Sequence, residues 1–152
     1  LESHYRSQSK FSLESLAAAK SRLLRYHNFA VRRFQSSGNS NLDIPDLLSQ
    51  MQNDLNTPEA LAILETWLDQ ADIVDLSTES IENAINLIDN LLGLELNETK
   101  DISEESKQLI TERDKARAEM DWAKADALRN QLEKANITVL DRPSGSVWQY
   151  LS

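Results

Sequence analysis

Residues 112–149 read ERDKARAEMDWAKADALRNQLEKANITVLDRPSGSVWQ, and the spacing of their apolar residues changes halfway along. Up to Ala135 they recur with a helical period: Ala116 and Met120, then Ala125, Leu128 and Leu132. Asp121 reads as an N-cap that divides this stretch into two helices, the second spanning residues 122–135. Asn136 is a tolerable left-handed terminator. Beyond it, residues 137–140 (ITVL) and 146–150 (SVWQY) read as two short strands, joined by a turn that holds Asp141, Pro143 and Gly145. The tail is therefore expected to be a helix pair followed by a β-hairpin. The helix that precedes Asp121 opens at Ser103, and its inward positions are Leu109, Ile110, the stem of Arg113, Ala116 and Met120.

Upstream the pattern is helical throughout. Ser12 caps a first helix over residues 13–35, with an apolar face of Leu13, Leu16, Leu23, His27, Val31 and Phe34. Lys20, Arg22, Arg25, Arg32 and Arg33 fill its other faces, and SSGNSN (36–41) follows as a loop. A shorter helix is expected over 42–55 with Pro45 in its first turn. Thr57-Pro58-Glu59 marks the next start, with Thr57 as the cap, and that helix runs to Asp72 with Leu61, Leu64, Trp67, Leu68 and Ala71 inward. Ser77-Thr78-Glu79 opens a fourth helix that carries Ile81, Ala84, Ile85, Ile88 and Leu92 inward and that Gly93 closes. The expected class is mainly α: a helical bundle over 1–96, a polar linker over 97–102, and the α+β tail over 103–152.

At 152 residues the chain can bury a real core, and only three Gly and three Pro leave few places to turn. It contains no cysteine, which excludes disulfides, Cys-based zinc sites and thiol nucleophiles. His4 and His27 lie too far apart for a local metal motif, so no metal site is expected in this chain. No run of about eighteen apolar residues exists, and LESHYRSQSK lacks the apolar stretch of a signal peptide, so a cytosolic chain without a membrane partner is expected. The net charge of −9 argues at first against a polyanionic partner. Its distribution reopens the question: residues 1–35 carry seven Lys/Arg against two acids, 36–104 one against fifteen, and 105–152 eight against eight. The two ends can approach a polyanion while the centre faces away, and an uneven solvated surface would give the same tally.

The order SHYRSQ (3–8), NDLNTPEA (53–60), LLGLEL (91–96) and the tail quoted above resembles the C-terminal region of cysteinyl-tRNA synthetases, nearly end to end. Asp126-Ala127-Leu128-Arg129 spells DALR, the letters after which this type of helical anticodon-binding domain is named. The resemblance implies a module that positions tRNA(Cys) for aminoacylation carried out by a preceding Rossmann-type domain of the same enzyme. That domain would hold the ATP and the zinc ion, and no catalytic residue is implied in this chain.

Unpaired RNA bases are read by stacking on aromatic rings and by hydrogen bonds to their edges. The tail offers Trp122 at a helix start, Arg117 one turn earlier across the break, Asp126 on the same face as Trp122, and Asp141 at the hairpin turn. An ionised carboxylate pairs well with the adjacent N–H donors of guanine. By resemblance, with a GCA anticodon, Asp126 and Asp141 read guanine, Trp122 stacks on an anticodon base, and Arg117 binds the neighbouring cytosine or its backbone. Periodicity alone favours a different role for Trp122, a core residue stapling the two helices together. Asp126 with Arg129 also fits an ordinary i, i+3 ion pair, and Asp141 a turn former. Trp148 and Gly145 are expected to act indirectly, through packing and turn geometry. His4 and Arg6 fall in the block that joins the catalytic domain to the bundle in the resembled family, so a contact with tRNA or with that domain is implied, against the plainer reading of a frayed terminus.

Two rival functions stay open at this level. One is a synthetase-related cysteine ligase of the mycothiol type, whose helical region has a block like NDLNTPEALA. The other is a freestanding module that binds protein through its acidic middle helices.

Overall fold

The computed structural model describes residue 6, residues 12–142 and residues 145–151. Six α-helices and one antiparallel hairpin are found there: α1 (Leu13–Ala30), α2 (Leu47–Gln52), α3 (Thr57–Asp72), α4 (Thr78–Leu92), α5 (Glu104–Ala118), α6 (Trp122–Lys134), β1 (Ile137–Arg142) and β2 (Gly145–Tyr150). None of these helices is long and apolar enough to cross a membrane. The chain forms two compact units, 1–99 and 100–152.

In the first unit the core gathers Phe29, Leu64, Trp67, Ile81, Ile85 and Leu96 with their neighbours. Phe29 and Trp67 meet edge to face at 5.3 Å, and the Trp67 indole N–H donates to the Asp43 carbonyl at 2.9 Å, so the one polar atom of that buried ring is satisfied. Helix ends follow the sequence closely. Ser77 caps α4 by accepting from the Ser80 amide, and Gly93 ends it at φ 63°. Asn56, not Thr57, caps α3, which places Thr57 and Pro58 in its first turn, where a missing proline N–H costs nothing. The expected helix over 42–55 shrinks to α2. Pro45 disfavours helical backbone at the residue before it, Asp46 supplies the cap, and Asp54 and Leu55 take left-handed conformations at the far end. The loop after α1 is tightly built: Ser40 and Leu76 form a parallel bridge, and a Cβ on Gly38 would lie 2.2 Å from the Asp75 carbonyl oxygen, so only glycine fits.

The first helix corrects the sequence reading in two ways. It ends at Ala30 and tightens into a 3-10 turn over Val31–Phe34. Its expected apolar face is largely turned to solvent, with Leu13, Leu16, Leu23 and Phe34 all exposed; Val31 is buried as expected, together with Tyr26, Phe29 and Ala30. The reason is electrostatic. Arg25 faces α3 and bonds to Glu65 at 2.6 Å, Asp69 at 2.6 Å and Asp72 at 3.0 Å, and Arg22 lies 3.2 Å from Glu65. Burial opposes the Arg25 charge, but those carboxylates hold its guanidinium above the ordinary arginine range.

The second unit is a helical hairpin closed by a strand pair. Ser103 caps α5 and Asp121 caps α6, the latter by accepting from the Lys124 amide at 3.1 Å. Between the helices, Met120 adopts φ 60° and the Asp121 amide returns to the Ala116 carbonyl at 2.8 Å. Met120, expected inward, is three-quarters exposed, because the left-handed turn carries it off the helix face. Ala116 and Ala125 are buried where α5 packs on α6. Asn136, at φ 63°, turns the chain between the end of α6 and the start of β1. In the hairpin Ile137 pairs with Tyr150, Val139 with Trp148, and Asp141 with Ser146. Alternation along β1 puts Ile137, Val139 and Asp141 on one face, and the first two are buried with Trp148.

Candidate functional site

The inner face of the hairpin thus ends in a carboxylate and a hydroxyl, and what meets them is an arginine. Arg113 is 3% exposed. Its guanidinium grips Asp141 as a fork, with Nη1 to Oδ1 and Nη2 to Oδ2 both at 3.0 Å. Nη1 also reaches Asp114 Oδ1 at 2.8 Å, and Ser146 Oγ donates to that same oxygen at 2.7 Å. Arg117, one turn after Arg113 on α5, adds a contact from the solvent side, Nη1 to Asp141 Oδ2 at 2.6 Å. A buried guanidinium without partners would cost several kcal/mol, roughly 3–5 by the cost of breaking buried pairs, so this ring of acceptors is what permits the burial. The hydrogen bonds from Arg113 hold the Asp141 carboxyl below the usual carboxylate range against the opposing pull of burial. Reciprocally, Asp141 raises Arg113 above its own ordinary value.

Of the residues singled out from sequence, Arg117 and Asp141 therefore come together, and they do so by bonding to each other. Trp122 takes no part in those ion-pair contacts. It occupies the first position of α6 and is 59% exposed, so it is not the core staple that periodicity favoured. A ring projecting from the first turn has no preceding turn to cover it. Asp126, four residues on, is exposed on the same helix face. Arg129 does not pair with Asp126: its Nε lies 3.1 Å from Glu133 one turn later. Gly145 opens β2 at φ 126°, a conformation that side chains rarely adopt. Trp148 is buried and meets Tyr150 edge to face at 5.4 Å.

Sequence reasoning missed Arg113, Asp114 and Ser146. It placed the Arg113 stem inward and left the charged head to solvent. The available signal was parity: Asp141 shares its strand face with Ile137 and Val139, and so needs a buried cationic partner.

At the other end Arg6 pairs with Asp54 at 2.8 Å, both largely exposed, and His4 lies outside the described residues. The arginines of α1 and the turn after it face inward. Arg32 donates to the Ala71 and Val74 carbonyls, and Arg33 to those of Asn97 and Thr99, so these two arginines are engaged within their own unit, while Lys20 is exposed. Among the described residues no three His, Cys, Asp or Glu are grouped to hold a metal.

A helical hairpin capped by a strand pair, with an exposed ring at one helix start and a guanidinium–carboxylate cluster at the hairpin turn, makes a small mainly helical module. Residues 99–148 match the family model described as the cysteinyl-tRNA ligase anticodon binding domain. This segment belongs to that family. The whole chain is also similar to curated cysteine–tRNA ligases: 30% identical to that of Campylobacter jejuni strain 81-176 over 180 aligned residues, covering 100% of the chain and 38% of the relative. Identity to cysteine–tRNA ligase 1 of Burkholderia lata is 35% over 152 residues (95% of the chain and 31% of the relative), and to the Helicobacter pylori enzyme 32% over 164 residues (96% and 35%). The chain spans less than two fifths of the length of these curated relatives.

Proposed function

We propose that this chain is the tRNA-binding part of a cysteine–tRNA ligase, in which residues 103–152 read the GCA anticodon of tRNA(Cys). Residues 1–96 form the bundle that meets the tRNA stem or the catalytic domain of the same enzyme. ATP-dependent aminoacylation, with its zinc ion, belongs to that domain. The observation that carries the reading is the open indole of Trp122, with Asp126 one turn along, inside a segment of the anticodon-binding family. A base laid on that ring gains about 1–3 kcal/mol, and Asp126 and Asp141 supply acceptors for the N–H donors of guanine. Arg117 serves the neighbouring cytosine or its backbone.

The family match weighs against both rivals, the mycothiol-type ligase and the protein-interaction module. Titrating the chain with an RNA hairpin carrying GCA in its loop tests the proposal. Trp122→Ala should weaken that binding about tenfold or more. An unchanged titration would remove Trp122 from the site, and a wild-type chain indifferent to the loop sequence would overturn the whole reading.

A further inference from the structure

The acceptor capacity of Asp141 poses a problem for any role in reading a base. The buried fork of Arg113 takes one lone pair on each oxygen, and Arg117 takes a second on Oδ2. The remaining side of Oδ1 is met by the Ser146 hydroxyl at 3.3 Å, which also lies 2.7 Å from Asp114. A base N–H donor can therefore reach this carboxylate only by replacing a partner. The two arginines differ sharply as candidates. The Arg113 side chain is 4% exposed and bonded to Asp114 as well, whereas that of Arg117 is 40% exposed and its only contact of this kind among the described residues is Asp141.

We propose that Arg113 is the positioning residue of the anticodon reader: it holds the Asp141 carboxylate in place throughout, while Arg117 is the exchangeable partner, released from Asp141 onto the RNA when a base N–H takes its position. This rests on the functional reading above. The free chain accordingly has a closed cluster in which Asp141 and Arg117 satisfy each other. RNA opens it by trading one charge-assisted hydrogen bond for two, base to Asp141 and Arg117 to RNA. A phosphate offers Asp141 no donor and a ribose only a single hydroxyl, so the exchange favours loops that present the adjacent N–H donors of a base edge.

Two measurements on the full chain decide it. In the first, Arg113→Lys keeps the charge and loses the fork. It should lower affinity for the GCA hairpin about tenfold or more while leaving affinity for a hairpin with adenine in place of the guanine near the wild-type value, so that discrimination collapses. A merely structural arginine would weaken both RNAs in parallel, and that outcome, or no change in either, overturns the proposal. In the second, which needs no variant and so survives a folding defect, the guanidinium NMR signals of Arg113 should stay in place when the GCA hairpin is added while those of Arg117 move. Movement of Arg113 equal to that of Arg117, or a stationary Arg117, overturns the exchange. A wild-type chain that binds both hairpins equally fails at the functional reading itself and takes this proposal with it.

Discussion

The first unit buries leucine, isoleucine and aromatic side chains against one another and keeps its ion pairs at the margin of α1 and α3, whereas the second, with a smaller apolar core of Leu128, Leu132, Ile137, Val139 and Trp148, also encloses a charged arginine bonded to its strand pair. Apolar burial is non-directional and scales with area, so the first unit tolerates polar rearrangement at its rim. The second depends on particular distances between particular atoms. A small core of this sort is a weaker source of stability per residue, but it brings polar groups to fixed places at the surface, which is what recognition needs.

That contrast can be broken most forcefully in the first unit. Leu64, 0% exposed, should cost about 2–5 kcal/mol when cut to alanine, measured by urea denaturation, and a loss below about 1 kcal/mol would mean that the apolar cluster is not what holds this unit. A smaller, pH-dependent effect belongs to the second unit. The Asp141 carboxyl titrates below its ordinary value of 3.8, so its contribution is fully present above that value and is lost as the pH falls through the lower, folded-state pKa. Asp141→Asn should flatten that part of the acid-unfolding curve of the hairpin. An identical curve would show the fork with Arg113 to be energetically idle. Smallest of all should be the change in stability for Trp122→Ala, within about 0.5 kcal/mol, since its side chain is largely in solvent. A larger loss would mean that the ring is structural after all, and would undo the separation between holding and reading drawn above.

Local chemistry made most of the elements legible. Ser12, Ser77, Ser103 and Asp121 are all caps, Gly93 and Asn136 both end helices in the left-handed region, and the period change at 137 is a real hairpin. The burying face of α1 was not legible, because Arg22 and Arg25 look like solvent residues until the carboxylates of α3 are placed opposite them. The same limit hid the Arg113 cluster. A pattern of polarity along one element states which residues are charged, and only the tertiary pairing of α5 with the hairpin states which charges are neutralised. The openness of Trp122 lay between these cases: its place directly after a capping aspartate put it at a helix start, and periodicity taken alone argued the other way.

The joint that presents Trp122 has one more consequence. Between α5 and α6 the Glu119 amide bonds to the Lys115 carbonyl, that of Met120 to Arg117 and that of Asp121 to Ala116, and the Asp121 side chain then takes the Lys124 amide. No slack loop remains there to be ordered. A planar ring mounted on such a joint has its backbone fixed during folding, so a second flat group settling against it would leave only the two side-chain torsions of the indole to be ordered.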